Sequence, residues 1–178
     1  MNLFAKRFQT TVLYRCDFTS HLATSDGTRE IVIRKLDPGE VGKLAEVNED
    51  VLVPLEISKF EAGLQCYVAE LNNRLAHYSW VQESGKHILD GTGRTRLVRD
   101  GHLWVHACFT AVRARGRRIY PMVPSQILDE YSARGFTTAW IYALESNAAS
   151  RKGICHVGFK IDSRLRSVLF REFTIPLP

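Results

Sequence analysis

The sequence predicts a single α/β domain built on a mixed sheet, and three observations carry that expectation. The chain has 178 residues, enough to bury one core without disulfide or metal staples and too few for two full domains. Its composition is 45% hydrophobic and 24% charged, which fits a soluble globular protein and excludes disordered, collagen-like and coiled-coil chains. Strand-like apolar runs alternate with helix-spaced ones, the pattern of a sheet covered by helices.

Residues 1–28 read as an N-terminal arm that closes on the turn-rich Thr24-Ser25-Asp26-Gly27-Thr28. The domain proper, 29–178, opens on a strand from Glu30 to Arg34, and the spacing of Val41, Leu44, Ala45 and Val47 after Asp37-Pro38-Gly39 predicts a short helix. A second helix is expected from Pro54 to Leu64. Cys66 to Leu71 and Leu75 to Val81 flank Asn72-Asn73 as an antiparallel hairpin, whose aromatics Tyr67, Tyr78 and Trp80 either wall a pocket or fill the core. Glu83 to Asp100 is polar and Gly-rich, a long loop or weak edge strands of the kind that shapes a binding site.

The second half is written more sharply. Leu103 to Val112 is a strand that runs into Arg113-Ala114-Arg115-Gly116-Arg117-Arg118. A helix follows, with Pro121 and Pro124 in its first turn, Val123, Ile127, Leu128 and Tyr131 on its apolar face and Gly135 as its stop. Thr137 to Leu144 is a buried strand, Ser146-Asn147 an N-cap signal, Ala148 to Val157 a short helix ended by Gly158-Phe159, and Arg166 to Ile175 a last β run.

The 24 Lys and Arg exceed the 19 Asp and Glu by +5, which suits an anionic partner but is too modest to indicate nucleic acid. Cysteines 16, 66, 108 and 155 form no close pair, so neither a zinc ribbon nor a redox pair is indicated, and buried, reduced thiols are expected. No His-Glu-x-x-His, Walker loop or Gly-x-Ser-x-Gly elbow occurs, and no metal is expected. Met1 to Phe8 lacks an apolar signal region and no window approaches the ~18 apolar residues of a membrane span, so a cytoplasmic protein without membrane association is expected. The C-terminal β run, ending Pro176-Leu177-Pro178, offers an edge for a homodimer.

A strand leading through a basic, glycine-containing turn into a helix holds phosphate well. N–H groups without intrahelical partners and the positive end of the helix dipole converge there, and Arg side chains add bidentate donors. The alternative for such an Arg cluster taken alone is a solvated charged face.

At these residues the chain resembles the GNAT superfamily of acyl-CoA-dependent N-acyltransferases. Phe109 to Pro121 is similar to that family's strand and Arg/Gln-x-x-Gly-x-Gly/Ala pyrophosphate loop, with Arg115 leading, and Asn147 to Phe159 is similar to its Asn-x-x-Ala/Ser helix ending in Gly-Phe. The resemblance spans about residues 30 to 160 in element order and implies a splayed central strand pair, Leu103 to Val112 beside Thr137 to Leu144, with the thioester in the opening. It implies that Thr110 and Val112 offer backbone groups to the pantetheine arm. Arg115, Gly116, Arg117, Arg118, Ile119 and Tyr120 would wrap the pyrophosphate, and Asn147 and Ser150 would line the thiol end. Arg118 and Tyr120 fill the loop's two small positions, so a tight glycine turn is not assured, and Ile154 stands where the family often carries a Tyr general acid.

Amine acylation needs an uncharged nucleophile, an oxyanion donor and a proton for the leaving thiolate. Period-2 alternation puts Trp104, His106, Cys108 and Thr110 on one strand face, and His106 is the candidate base, ahead of His102 and His77. A His satisfied within the sheet is the competing reading. His106 lies two residues from Cys108, about 7 Å away at ordinary strand rise, too far for a Cys-His nucleophile. Candidate acids are Tyr142, paired with His106 as the catalytic set, Tyr120, and Cys155 or His156, with departure of the thiolate unaided as a further option. The expected function is transfer of an acetyl group from acetyl-CoA directly to a primary amine, on a small molecule or amino sugar rather than a protein. A longer-chain or carrier-protein-bound donor is one alternative. A catalytically altered binding module, suggested by Ile154, Arg118 and Tyr120, is the other.

Overall fold

The computed structural model describes residues 7–20, 31–170 and 173–177. Among the described residues ten strands form: β1 (Arg7–Asp17), β2 (Ile31–Lys35), β3 (Gln65–Leu71), β4 (Arg74–Gln82), β5 (Lys86–Leu89), β6 (Arg94–Leu97), β7 (His102–Thr110), β8 (Thr138–Leu144), β9 (Lys160–Phe170) and β10 (Phe173–Pro176). The helices are α1 (Val53–Glu61), α2 (Ile119–Ala133) and α3 (Ala148–His156), with a 3-10 helix at Pro38–Glu46 where a short helix was expected. Eight strands make one sheet in the order β10-β9-β1-β8-β7-β4-β3-β2, and β5 and β6 pair by themselves. The mixed α/β fold expected from the sequence is therefore present. The turn cluster Thr24 to Thr28 and residue Glu30 lie outside the described residues.

Local chemistry explains most elements. Asn72 and Asn73 take left-handed conformations (φ 53° and 59°) between β3 and β4, as short Asn turns allow. Asp37 caps the 3-10 helix by accepting from the Gly39 N–H at 2.7 Å. Asn147 Oδ1 accepts from the Ser150 N–H at 3.1 Å and starts α3. Helix α2 begins at Ile119, so Pro121 sits in its first turn but Pro124 falls in the second.

Two layers cover the sheet. On one side α2 and α3 bury Val12, Tyr14, Val105 and Ile141 together with Ile127 and Tyr131. On the other, the β5–β6 hairpin buries Leu89 and Val98 against Leu13, Trp104 and Leu165, while α1 sets Phe60 edge-on to Trp80 at 4.8 Å. The polar stretch 83–100 is thus a hairpin that roofs half of one face.

Several expectations need correction. The stretch expected as an accessory arm supplies β1, which lies inside the sheet, pairing antiparallel with β8 along one edge and β9 along the other. Its run from Thr11 to Tyr14 is buried on both sides, so its apolar content fits an interior strand. Of the two readings of Tyr67, Tyr78 and Trp80, the core one holds, at 1%, 5% and 0% exposure. Cys16 and Cys66 are buried thiols, but Cys155 is exposed.

Candidate coenzyme site

The site begins where the sheet opens. Strands β7 and β8 pair in parallel only from His102 to Trp104 against Thr138 to Trp140. Beyond that point β8 keeps β1 as its partner and β7 keeps β4, so the two central strands part. At the same level β7 carries a bulge: Trp80 faces His106 and Tyr78 faces Phe109, which sets Ala107 and Cys108 together opposite Ser79. Ala107 adopts φ 46°, the left-handed backbone that inserts an extra residue into a ladder.

The bulge overturns the expected alternation. Trp104 and His106 stay on the hairpin side, whereas Cys108 and Thr110 turn toward α2, where Thr110 Oγ1 meets His77 Nδ1 at 2.7 Å. His77 is fully buried, and its Nε2 meets Ser79 Oγ at 2.8 Å. Burial holds its pKa down at about 3, so it is neutral. The Cys108 thiol interacts with the hydroxyls of Ser79 and Tyr120, and burial raises its pKa to about 11.

After β7 the chain makes a short 3-10 turn, Val112–Ala114, and then the basic loop. Arg113 donates to the Glu46 carbonyl at 2.7 Å and the Leu75 carbonyl at 2.5 Å, a structural tie that takes it out of the anion cluster. Arg115 donates from Nε to the Thr110 carbonyl at 3.3 Å and is exposed. Gly116 has φ 80°, and Arg118 takes φ 57° just before α2. The tight turn therefore forms although Arg118 occupies a position where glycine would be free of strain. The first N–H groups of α2, which no helical carbonyl can satisfy, face this loop's end of the helix.

A cavity of about 680 Å³ runs from this loop to α3, lined by Thr110, Arg115, Gly116, Arg118, Ile119 and Tyr120 on one side and Asn147 and Ser150 on the other. Eight positions expected from the sequence thus come together. Val112 and Arg117, both exposed, are not among the lining residues.

Tyr120 spans the cavity. Its hydroxyl is 3.0 Å from Ser150 Oγ, and its ring stands edge-on to His77 at 5.7 Å. Gly153 makes room for that ring, since a Cβ there would lie 2.5 Å from Tyr120 Cδ1. This explains a glycine in mid-helix that propensity alone disfavours. Gly153→Ala removes up to ~1 kcal/mol of helix penalty but forces a buried ring to move, so urea unfolding should show a net loss of about 1–2 kcal/mol.

The expected catalytic pair lies elsewhere. His106 and Tyr142 are not in the lining; both face the β5–β6 hairpin. The Tyr142 hydroxyl donates to Asp90 Oδ2 at 3.1 Å. His106 Nε2 is buried without a partner, and burial lowers the His106 pKa to about 3. Its neighbour is a residue the sequence did not single out, His87 of β5, whose ring is 4.7 Å away at 67°. His87 Nδ1 is 2.9 Å from Gln82 Oε1. The Gln82 amide nitrogen donates to the Ser84 and Lys86 carbonyls at 2.7 and 3.2 Å, so Oε1 is the atom left to accept and His87 carries its proton on Nδ1. The alternation that buries His87 and Leu89 but exposes Lys86 and Ile88 is four residues long, too short to stand out in a polar stretch.

Comparison with solved structures identifies the fold. The chain superposes on the GCN5-related glucosamine N-acetyltransferase region of a fungal multi-domain GH3 beta-N-acetylglucosaminidase, with TM-score 0.70 and 14% identity over 91% of this chain and 21% of that one. The fold is the GNAT fold. A GCN5-related N-acetyltransferase from Sphaerobacter thermophilus gives TM-score 0.67 and 12% identity over 97% of this chain and 55% of that one. The yncA protein of Salmonella typhimurium, solved with acetyl-CoA, gives 0.56 and 17% over 76% and 82%. The chain thus spans less than two thirds of the first two GNAT-fold chains. No family model matches the sequence, and no curated protein does. No helix among the described residues of this GNAT-fold chain is long and apolar enough to cross a membrane.

Proposed function

We propose that the chain is an acyl-CoA-dependent N-acyltransferase that moves an acetyl group from acetyl-CoA directly to a primary amine on a small molecule or amino sugar. The single observation that carries this reading is the cavity of about 680 Å³ beside the parted strands, with a left-turning Arg/Gly loop at the α2 N-terminus at one end and Asn147 and Ser150 at the other. Loop N–H groups, Arg115 and Arg118 would hold the pyrophosphate, and β7 from Cys108 to Thr110 would present backbone groups to the pantetheine arm. The bulge at Ala107 frees the backbone there from its ladder, so N–H groups of β7 are available to a developing oxyanion. Direct transfer fits better than an acyl-Cys intermediate, because Cys108 is held protonated by its surroundings and the bulge turns it away from His106.

Isothermal titration with acetyl-CoA tests the coenzyme step. Micromolar to millimolar binding is expected, weakened about tenfold or more in Arg115→Ala/Arg118→Ala through loss of charge-assisted hydrogen bonds. Absence of binding at millimolar coenzyme would sink the reading. A panel of primary amines, scored for coenzyme-dependent acylation, then assigns the acceptor.

A further inference from the structure

We infer that Tyr120 is the proton donor to the coenzyme sulfur, an assignment that rests on the acyltransferase reading and deepens it. The position where GNAT relatives often carry a Tyr is Ile154 here, a buried aliphatic side chain at 1% exposure with no proton to give. The nearest alternative from the sequence, Tyr142, is committed to Asp90 on the other side of the sheet: it donates to Oδ2 at 3.1 Å and accepts from the Asp90 N–H at 3.4 Å. Cys155 is exposed and outside the cavity lining, and His156, which does line the cavity, is an exposed side chain at the opposite end of α3 from Asn147.

Tyr120 meets each requirement of the role. It enters from the start of α2, yet its hydroxyl reaches α3 at Ser150, so it stands across the cavity between the loop and the helix. Its ring is fixed by the edge contact to His77 and by the slot that Gly153 leaves open. Around it runs a chain of polar contacts, from Thr110 to His77, Ser79 and Cys108. Burial raises the phenol's pKa well above its ordinary value of 10, so it holds its proton before transfer but releases it less readily than a free phenol, and the role rests on the hydroxyl's position beside Ser150 rather than on its acidity. Ser150, itself partly exposed, connects that phenol to water.

The step balances as follows. The amine nitrogen bonds to the acyl carbon, the carbon–sulfur bond breaks, and its electron pair goes to sulfur. The Tyr120 O–H proton passes to sulfur, and the phenolate regains a proton from water through the Ser150 hydroxyl. The surplus proton of the new amide nitrogen leaves to solvent.

Two readouts test the assignment in the whole protein, one of them without turnover. By titration calorimetry, the parent should bind CoA about fivefold more tightly than desulfo-CoA, the worth of one hydrogen bond to sulfur, and Tyr120→Phe should bind both alike. In acyl transfer, Tyr120→Phe should lower kcat about 100-fold with KM for acetyl-CoA within about twofold, and Ser150→Ala should lower kcat about tenfold. A folded Tyr120→Phe that keeps the parent's kcat overturns the inference. So does a lower kcat with the CoA over desulfo-CoA preference intact, since that is what a packing role alone produces. A parent that binds neither ligand overturns the coenzyme reading itself, and the inference with it.

Discussion

Deleting Ala107 should weaken the proposed binding of acetyl-CoA by about 100-fold or more while leaving the protein as stable as before, or more so. Two residues, Ala107 and Cys108, oppose Ser79, and the ladder resumes with Tyr78 facing Phe109 and His77 facing Thr110. With Ala107 gone, Cys108 alone opposes Ser79 and the register on both sides is unchanged. Trp104 and His106 keep the hairpin side, and Cys108 and Thr110 keep the α2 side. What disappears is the local kink, because a bulge bends its strand and strengthens its twist. A straight β7 can continue beside β8 past Trp104, where pairing now stops, and closing that gap removes the wall of the cavity. Stability should not fall, since the deletion relieves an alanine held at φ 46°, a conformation worth roughly 1–2 kcal/mol of strain. Calorimetry with acetyl-CoA should show affinity reduced by about 100-fold or more, the loss of several charge-assisted contacts, with Tm equal to or above the parent's. The control is Ala107→Gly, which keeps the bulge and relaxes the strain; it should retain binding and gain up to ~1 kcal/mol. Undiminished affinity in the deletion would mean that the parting of β7 and β8 has another cause.

That bulge also marks how far the sequence could be read. Elements whose causes are local were legible: the Asn72-Asn73 turn, the Asn147 cap, and the Arg/Gly loop between a strand and a helix. Eight of the ten expected coenzyme positions meet in the cavity lining, because loop and cap residues keep their neighbours wherever the chain goes, whereas Val112 and Arg117 are exposed to solvent. The catalytic pair did not follow. Period-2 alternation is a rule for an unbroken ladder, and nothing about alanine announces a left-handed residue inside a strand, so His106 was joined to Cys108 and Thr110 when the bulge separates them. The place of β1 was equally hidden: its pairing with β8 joins Thr11 to Leu144, and no local pattern names so distant a partner. The start of β9 at Lys160 was missed because its first residues, Lys160 to Arg164, are mostly polar, as an outward-facing strand end permits.

Acidification should unfold the protein in a range where its carboxylates are still silent. Among the described residues burial lowers three histidines furthest, His77 and His106 to pKa about 3 and His87 to about 4, against an ordinary value of 6.5, and lowers His102 less. Each takes up a proton in the unfolded chain below pH 6.5 and in the folded protein only near its lowered pKa. The unfolded state therefore binds more protons through that interval, and stability falls as pH falls. Above pH 6.5 the contribution is complete; below it each group removes about 1.4 kcal/mol per pH unit, so that at pH 5 each has cost about 2 kcal/mol. Three such groups together approach the whole stability of an ordinary domain, about 5–15 kcal/mol. Carboxylates act lower down. Glu40, hydrogen-bonded by Arg34 and Lys43, has its pKa lowered from 4.5 to about 2, and Glu83 is lowered by Arg134; both lose their contribution only below pH 4.5. Urea unfolding at pH 7.5, 6 and 5 separates the two sets. Stability should drop steeply between pH 6 and 5, with a slope near three protons. His87→Phe, which keeps an aromatic ring against Trp104 in place of the imidazole now stacked there at 4.5 Å, should lower that slope by one. Equal stability at pH 7.5 and pH 5 would show that the three imidazoles reach water in the folded state; the hairpin would then not seal His87 and His106 on its face of the sheet, nor α2 seal His77 on the other.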